Sequence, residues 1–282
     1  MSQLVEIENL RVAFRTDEGG WNDAVRGVSL SLGREKLGIV GESGSGKSLT
    51  GRALLGVLPP YARATADKLS FDGIDLRSAP PKLRRSLRGG RMGMILQDPK
   101  FSLNPVLTVG AQIVEAIRIG DPRLTKSVAR TKALESLEQV HIREPERVFD
   151  LFPHELSGGM GQRVMIAMMV VREPDLMIAD EPTSALDVTV RLQVLSVLDE
   201  LVTRRGMGLI FISHDLNLVK RFCDRVVVMY AGRVVEELKA SALEEATHPY
   251  TRGLLACLPR IDGSLDPLPT LQRDAAWAGA AS

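Results

Sequence analysis

The residues best suited to chemistry in this sequence form one run, Gly41-Glu42-Ser43-Gly44-Ser45-Gly46-Lys47-Ser48. Glycines at this spacing let the backbone curl where side chains would block it. The curl aims successive N–H groups inward and makes a nest for an anion. A short apolar run, Leu37 to Val40, comes before it, and a helical pattern begins at Leu49, so the nest lies at the positive end of a helix. Lys47 supplies a cation for β- and γ-phosphates, and the Ser48 hydroxyl supplies a ligand for Mg²⁺.

Further polar groups stand at the ends of apolar runs. Leu176 to Ala179 ends in Asp180-Glu181. An acid at the end of a buried strand is costly unless it holds a cation or is hydrogen-bonded. Asp180 suits Mg²⁺, reached through water, and Glu181 suits polarising an attacking water. Leu209 to Ile212 ends in Ser213-His214-Asp215, where His214 is placed to touch a terminal phosphate and hold the water in line. Met92 to Leu96 ends in Gln97, a further contact for Mg²⁺ or water. Ligands of α/β sheets bind at such strand ends, so these groups are expected to converge on one triphosphate.

The elements that must position them follow from periodicity. Val5 to Phe14 and Val28 to Leu32 alternate apolar and polar residues, as strands with one face in water do. The later apolar runs, ending in Val226 to Tyr230, are short and bounded by turns, as strands covered on both faces are. Helical patterns at Leu49–Leu58, about 123–140, Gly161–Val171 and Val188–Arg204 separate several of them. Strands alternating with helices predict a mostly parallel α/β sheet. From about 99 to 157 the pattern is helical without a clear strand, which predicts an inserted helical subdomain. Met165, Met168 and Met169 fit core packing there. Lys82, Arg84, Arg85, Arg88 and Arg91 fit a solvated face. Ser241–Leu258 predicts a helical appendage, and the Pro-, Gly- and Ala-rich stretch beyond Pro259 predicts a poorly ordered tail.

Composition sets the outer bounds. A net charge of +1 over 282 residues argues against a general nucleic-acid binder. With only Cys223 and Cys257, neither a disulfide scaffold nor a four-cysteine metal site can be built from this chain. The longest apolar run, Val164 to Val171, is far short of the roughly 20 residues needed to cross a bilayer. Met1 to Glu8 carries acids and no basic segment, which predicts no signal peptide.

Leu156-Ser157-Gly158-Gly159-Met160-Gly161-Gln162-Arg163 completes a larger pattern. With the phosphate loop, Gln97, Asp180-Glu181, Ser184-Ala185-Leu186-Asp187 and His214, the chain resembles the ATP-binding-cassette ATPases over about residues 4–235. The resemblance implies a RecA-like P-loop core with an antiparallel β subdomain and an inserted helical subdomain at about 99–160. These make a nucleotide-binding domain at 1–240, followed by a C-terminal extension at 241–282. It implies ATP and Mg²⁺, with Gly41, Glu42, Ser43, Gly44, Ser45, Gly46, Lys47, Ser48 and Leu49 around the phosphates. Ser48, Gln97 and Asp180 would hold the metal. Lys47, Glu181 and His214 would carry the chemistry. It also implies a head-to-tail pair, in which Ser157, Gly158, Gly159 and Asp187 of one cassette close over nucleotide held by another. Phe14 matches the aromatic that stacks on adenine, with Trp21 as a rival for that role.

Gln97-Asp98-Pro99, Ser102-Leu103-Asn104-Pro105, Phe152-Pro153-His154-Glu155 and His248-Pro249-Tyr250-Thr251 resemble the dipeptide, oligopeptide and nickel importer ATPases. That likeness implies two transmembrane permease partners, one of them facing Phe101–Val106, and indirectly an extracytoplasmic solute-binding protein. It implies a peripheral place on the cytoplasmic face of the plasma membrane, and no nucleic-acid partner. Nickel and opine-type solutes stay open beside peptides, as does a second, paralogous cassette beside an identical one. A soluble cassette ATPase acting on DNA or ribosomes is the alternative from another class. Two departures stand out. Gly161 occupies a place where relatives commonly carry a longer side chain. No cysteine follows Cys257, so the cysteine cluster of many peptide-importer ATPases is not expected.

Overall fold

The computed structural model describes residues 3–97, 102–184, 186–258 and 277. The expected tail beyond Pro259 falls outside them except at Trp277, and Asp98, Pro99, Phe101 and Ala185 also fall outside. The chain divides into two compact units, Met1–Ala79 with Ile210–Ser282, and Pro80–Leu209. The sequence reading drew its bounds elsewhere, with a helical subdomain at about 99–160 inside a domain at 1–240 and an extension at 241–282.

The first unit holds β1 (Val5–Arg15), β2 (Trp21–Leu32), β3 (Lys36–Val40), α1 (Lys47–Leu55), β4 (Ala62–Thr65), β5 (Lys68–Phe71) and β6 (Ile74–Asp75). Strands β1, β2, β5 and β6 form an antiparallel sheet in the order β2-β1-β5-β6, and β4 pairs with β1 as well. Val5 and Ile7 are buried and Glu8 is exposed, as the alternation predicts. Helix α1 ends at Gly56, whose left-handed φ of 66° lets its N–H and that of Val57 return to the last turn.

Strand β3 belongs to a different ladder. It runs parallel to β10 (Arg225–Tyr230), which pairs antiparallel with β11 (Arg233–Lys239). Leu37, Ile39, Val40 and Val226–Met229 are fully buried, which is why both runs are continuously apolar. Close packing fixes Gly38, where a Cβ would meet a Val219 methyl at 2.4 Å. Val219 lies on α8 (Leu216–Phe222). The chain then passes through a 3₁₀ turn at Ala240–Glu245 into α9 (Pro249–Ala256), matching the expected appendage.

The second unit holds α2 (Pro81–Leu87), β7 (Met92–Ile95), α3 (Val109–Gly120), α4 (Lys126–Gln139), α5 (Pro145–Asp150), α6 (Gly158–Val170), β8 (Leu176–Asp180) and α7 (Val188–Arg205). Strands β7 and β8 pair in parallel, with Met92 opposite Leu176 and Ile95 opposite Ala179. Strand β9 (Gly208–Ile212) spans the division between the units. Helices α3, α4 and α5 confirm helical structure after residue 99, and α3 is a helix that periodicity alone did not single out. Helix α6 runs unbroken through Gly161. Met165 is fully buried, whereas Met168 and Met169 are half-buried, so core packing holds for the first more than for the others. Residues Lys82, Arg84 and Arg85 are exposed, but Arg91 is an anchor, bonded to Asp175 at 2.6 Å.

Candidate functional site

The phosphate loop follows β3 and leads into α1. Gly41 has φ 147° and a Cβ there would lie 2.1 Å from the Met229 carbonyl oxygen, so only glycine fits. Gly46 has φ 97° and caps α1. Lys47 is buried, and its Nζ donates to the carbonyl oxygens of Gly41 and Glu42, each at 2.8 Å. The loop is further closed by the Ser45 N–H on the Glu42 carbonyl at 3.2 Å. The Ser45 hydroxyl is buried and has no hydrogen-bond partner among the described residues. An orphaned buried hydroxyl inside an anion nest fits a phosphate group. Ser43 and Gly44 are exposed at the loop's tip, and Ser48 and Leu49 are half-buried in the first turn of α1.

The Glu42 N–H, on the loop's outer side, donates to the Tyr250 hydroxyl oxygen at 3.0 Å. Sequence reading placed Tyr250 only in a family motif, not near the phosphate loop.

His214 follows β9 and is exposed. Its neighbours are fixed. The Ser213 N–H donates to the Ile39 carbonyl at 3.1 Å, the Asp215 N–H to the Ser213 hydroxyl at 3.0 Å, and Asp215 accepts the Leu218 N–H as the cap of α8.

Phe14 and Trp21 are the two aromatic positions expected against adenine. Phe14 is half-buried on β1, with the Tyr61 ring centroid 6.0 Å away. Tyr61 is 61% exposed and was not among the expected residues. Trp21 already carries the Arg63 guanidinium over its ring at 4.1 Å. A ring with one face covered by a cation is the poorer platform for a base.

The second unit carries the carboxylates. Asp180 is buried at the end of β8. Glu181 follows with φ 48°, a left-handed backbone rare for a residue with a long side chain. Such strain concentrates where function demands a particular placement. The Ser184 N–H and hydroxyl both donate to the Glu181 carbonyl oxygen, at 3.3 and 3.2 Å, and hold that turn. Gln97 Nε2 donates to Glu181 Oε2 at 3.4 Å, a contact that the sequence reading did not include.

Gly158 and Gly159, of the Leu156–Gly159 segment that we call the signature turn, open α6. Ser157 is the N-cap, its hydroxyl accepting the Met160 N–H at 3.4 Å. Ser157 and Gly158 are exposed. Gly159 is buried, and a Cβ there would meet a Val190 methyl at 2.2 Å. Val190 lies in the first turn of α7, whose N-cap is Asp187, accepting the Val190 N–H at 3.0 Å. The signature turn and the Asp187 turn are therefore packed against each other within one unit.

Residues 25–184 match the ABC transporter family. The chain belongs to the ABC transporter family. A putative peptide import ATP-binding protein of Brucella abortus is 46% identical over 270 residues, 95% of this chain and 81% of that protein. The dipeptide transport ATP-binding protein DppD of Escherichia coli is 47% identical over 258 residues, covering 91% of this chain and 78% of the relative. Among solved structures, a dimeric bacterial ABC transporter cassette superposes with a TM-score of 0.74 at 26% identity, over 84% of this chain and 98% of that one. The same cassette, in a post-hydrolysis state bound to ADP and Pi, gives 0.72. The ABC cassette fold expected from the sequence is thus the observed fold, and ATP is the nucleotide its family takes.

Proposed function

We propose that this chain is the ATP-hydrolysing subunit of an ABC importer that takes up di- or oligopeptides through membrane permease partners. The observation that carries this reading is the 46% identity with a peptide import ATP-binding protein along 95% of the chain. Likeness of that extent reaches past the cassette into the segment after residue 240. No helix among the described residues is long and apolar enough to cross a membrane.

In this reading the nest from Gly41 to Gly46, with Lys47, binds the phosphates. Ser48, Gln97 and Asp180 offer hydroxyl, amide and carboxylate oxygens, the hard donors that suit Mg²⁺. Bound there, Mg²⁺ neutralises charge developing on the phosphate oxygens. Glu181 accepts a proton from water, Gln97 orients that carboxylate, and His214 holds the water in line. Phe14, with Tyr61 beside it, stacks on adenine. Ser157, Gly158, Gly159 and Asp187 face nucleotide held by a second cassette, identical or paralogous. The pair sits peripherally on the cytoplasmic face of the membrane, served by an extracytoplasmic solute-binding protein.

The test is reconstitution with the neighbouring permease chains in vesicles carrying a peptide-binding protein. ATP-driven accumulation of a labelled dipeptide supports the reading. Uptake of nickel but not peptide, or ATP hydrolysis indifferent to the permeases, overturns it.

A further inference from the structure

The bond from the Glu42 N–H to the Tyr250 hydroxyl joins groups 208 positions apart. Tyr250 is fully buried, although it lies in the short helix α9 near the end of the described chain. Its ring packs against Tyr230 with centroids 4.5 Å apart and against Trp277 at 6.0 Å. Trp277 also meets the Tyr230 and His248 rings, at 6.1 and 6.4 Å. The start of α9 is tied down separately. Glu236 on β11 accepts hydrogen bonds from the Thr247 N–H, the Thr247 hydroxyl and the His248 N–H, at 2.7, 3.0 and 3.2 Å. His248 Nδ1 then accepts the Tyr250 N–H at 3.2 Å. So much anchoring for one hydroxyl makes it a fixed point against which a glycine-rich loop can be held.

The loop needs such a point. The peptide groups flanking Glu42 are gripped by Lys47 through the Gly41 and Glu42 carbonyls. Lys47 is the loop's own cation for phosphate, and turning to phosphate loosens that grip. The Tyr250 bond is on the opposite side, from a group that does not move to the ligand. A second tie of the same kind runs from the Gly232 N–H, on the turn after β10, to the Ser45 carbonyl at 3.2 Å.

We propose that Tyr250 is a positioning residue for nucleotide binding, holding the Gly41–Glu42 peptide at the start of the loop in place while Lys47 engages phosphate. The C-terminal extension then belongs to the nucleotide site and is more than an appendage to the cassette. The proposal rests on the reading of Gly41–Ser48 as the ATP loop.

The experiment is Tyr250→Phe in the full chain, which keeps the ring packing and removes only the hydroxyl. Affinity for Mg-ATP and for inorganic tripolyphosphate is measured by calorimetry, and kcat and KM in the complex with its permeases. One neutral hydrogen bond corresponds to roughly a three- to ten-fold change. Both ligands should weaken by that factor, because the loop reads phosphate rather than the base. KM should rise alike, with kcat at saturation within about two-fold, and the nucleotide-free chain should melt within a few degrees of wild type. A Y250F chain that melts lower yet binds both ligands as wild type does overturns the proposal, because the tyrosine is then structural only. Weakening confined to ATP, with tripolyphosphate unaffected, also overturns it. Failure of the ATP reading itself looks different: the wild-type chain would bind neither ligand.

Discussion

The chain carries two glycine-rich helix starts that both suit an anion, and they are built in opposite ways. The phosphate loop is internally tied. Lys47 and Ser45 close it from within, Tyr250 and Gly232 hold it from outside, and the Ser45 hydroxyl is left buried for a ligand. At the signature turn, Ser157 and Gly158 are exposed, and the described ties run backward into the unit, through the Ser157 cap and the contact of Gly159 with α7. A site organised before its ligand arrives can bind alone. One that presents its anion-binding end outward works when something else brings the anion. That difference accounts for a family whose cassettes pair.

Substitution of the proposed general base should have the largest effect. Glu181→Gln is expected to lower turnover by about 10²- to 10⁴-fold, the usual worth of a general base, while ATP still binds. A phosphate-release assay beside an ATP-binding measurement separates the two, and normal turnover would remove Glu181 from its role. The comparison itself is broken or kept by Lys47→Ala against Ser157→Ala. Loss of the loop cation should weaken ATP binding to the separate chain by about 10²-fold, as removal of one preorganised electrostatic group does. Ser157→Ala should leave that binding within about two-fold and depress turnover only in the assembled complex. If Ser157→Ala weakens ATP in the separate chain as much as Lys47→Ala, the outward-facing account fails.

The signature glycines sharpen it further. Gly159→Ala forces a methyl into Val190 and should destabilise the chain by about 1–3 kcal/mol, seen in thermal melts. Gly158→Ala finds its nearest neighbour at 3.9 Å, so the fold should tolerate it while turnover falls. At the adenine end, Phe14→Ala and Tyr61→Ala should each raise KM for ATP several-fold, on the scale of about 1 kcal/mol for an aromatic contact. Trp21→Ala should do less, because Arg63 occupies one of its faces.

The smallest effect concerns pH. Burial alone would raise the Glu236 carboxyl, but the hydroxyl and N–H groups of Thr247, Thr251 and His248 around it hold it below the ordinary value of 4.5. A carboxyl lowered by folding lends stability above its unfolded pKa and loses it as pH falls through the folded value. The melting difference between wild type and Glu236→Gln should therefore be full at neutral pH and shrink below about pH 4.

Much of this was legible in the sequence where chemistry is contiguous or burial is two-sided. Gly41–Ser48 is one uninterrupted run, and the stretches Leu37–Val40, Leu176–Ala179 and Leu209–Ile212 are free of polar side chains because they are buried throughout. The small strands β4 and β6 do not stand out in the sequence, being only four and two residues long with no buried position, held by pairing rather than by apolar faces of their own. Tyr250 escaped for another reason. The group it meets is a backbone N–H, which every residue but proline possesses, so nothing in residue type at position 42 announces it. Tyr61 lies beyond the helical pattern Leu49–Leu58, and its place beside Phe14 comes from the pairing of β1 with β4.

In the function proposed above, the twisted backbone at Glu181 sets stability and catalysis against each other at a single position. Glycine would rest there without complaint, so Glu181→Gly should yield a sturdier cassette that burns no fuel. Thermal selection alone would therefore discard the carboxylate, and its presence marks a chain kept for work rather than for endurance.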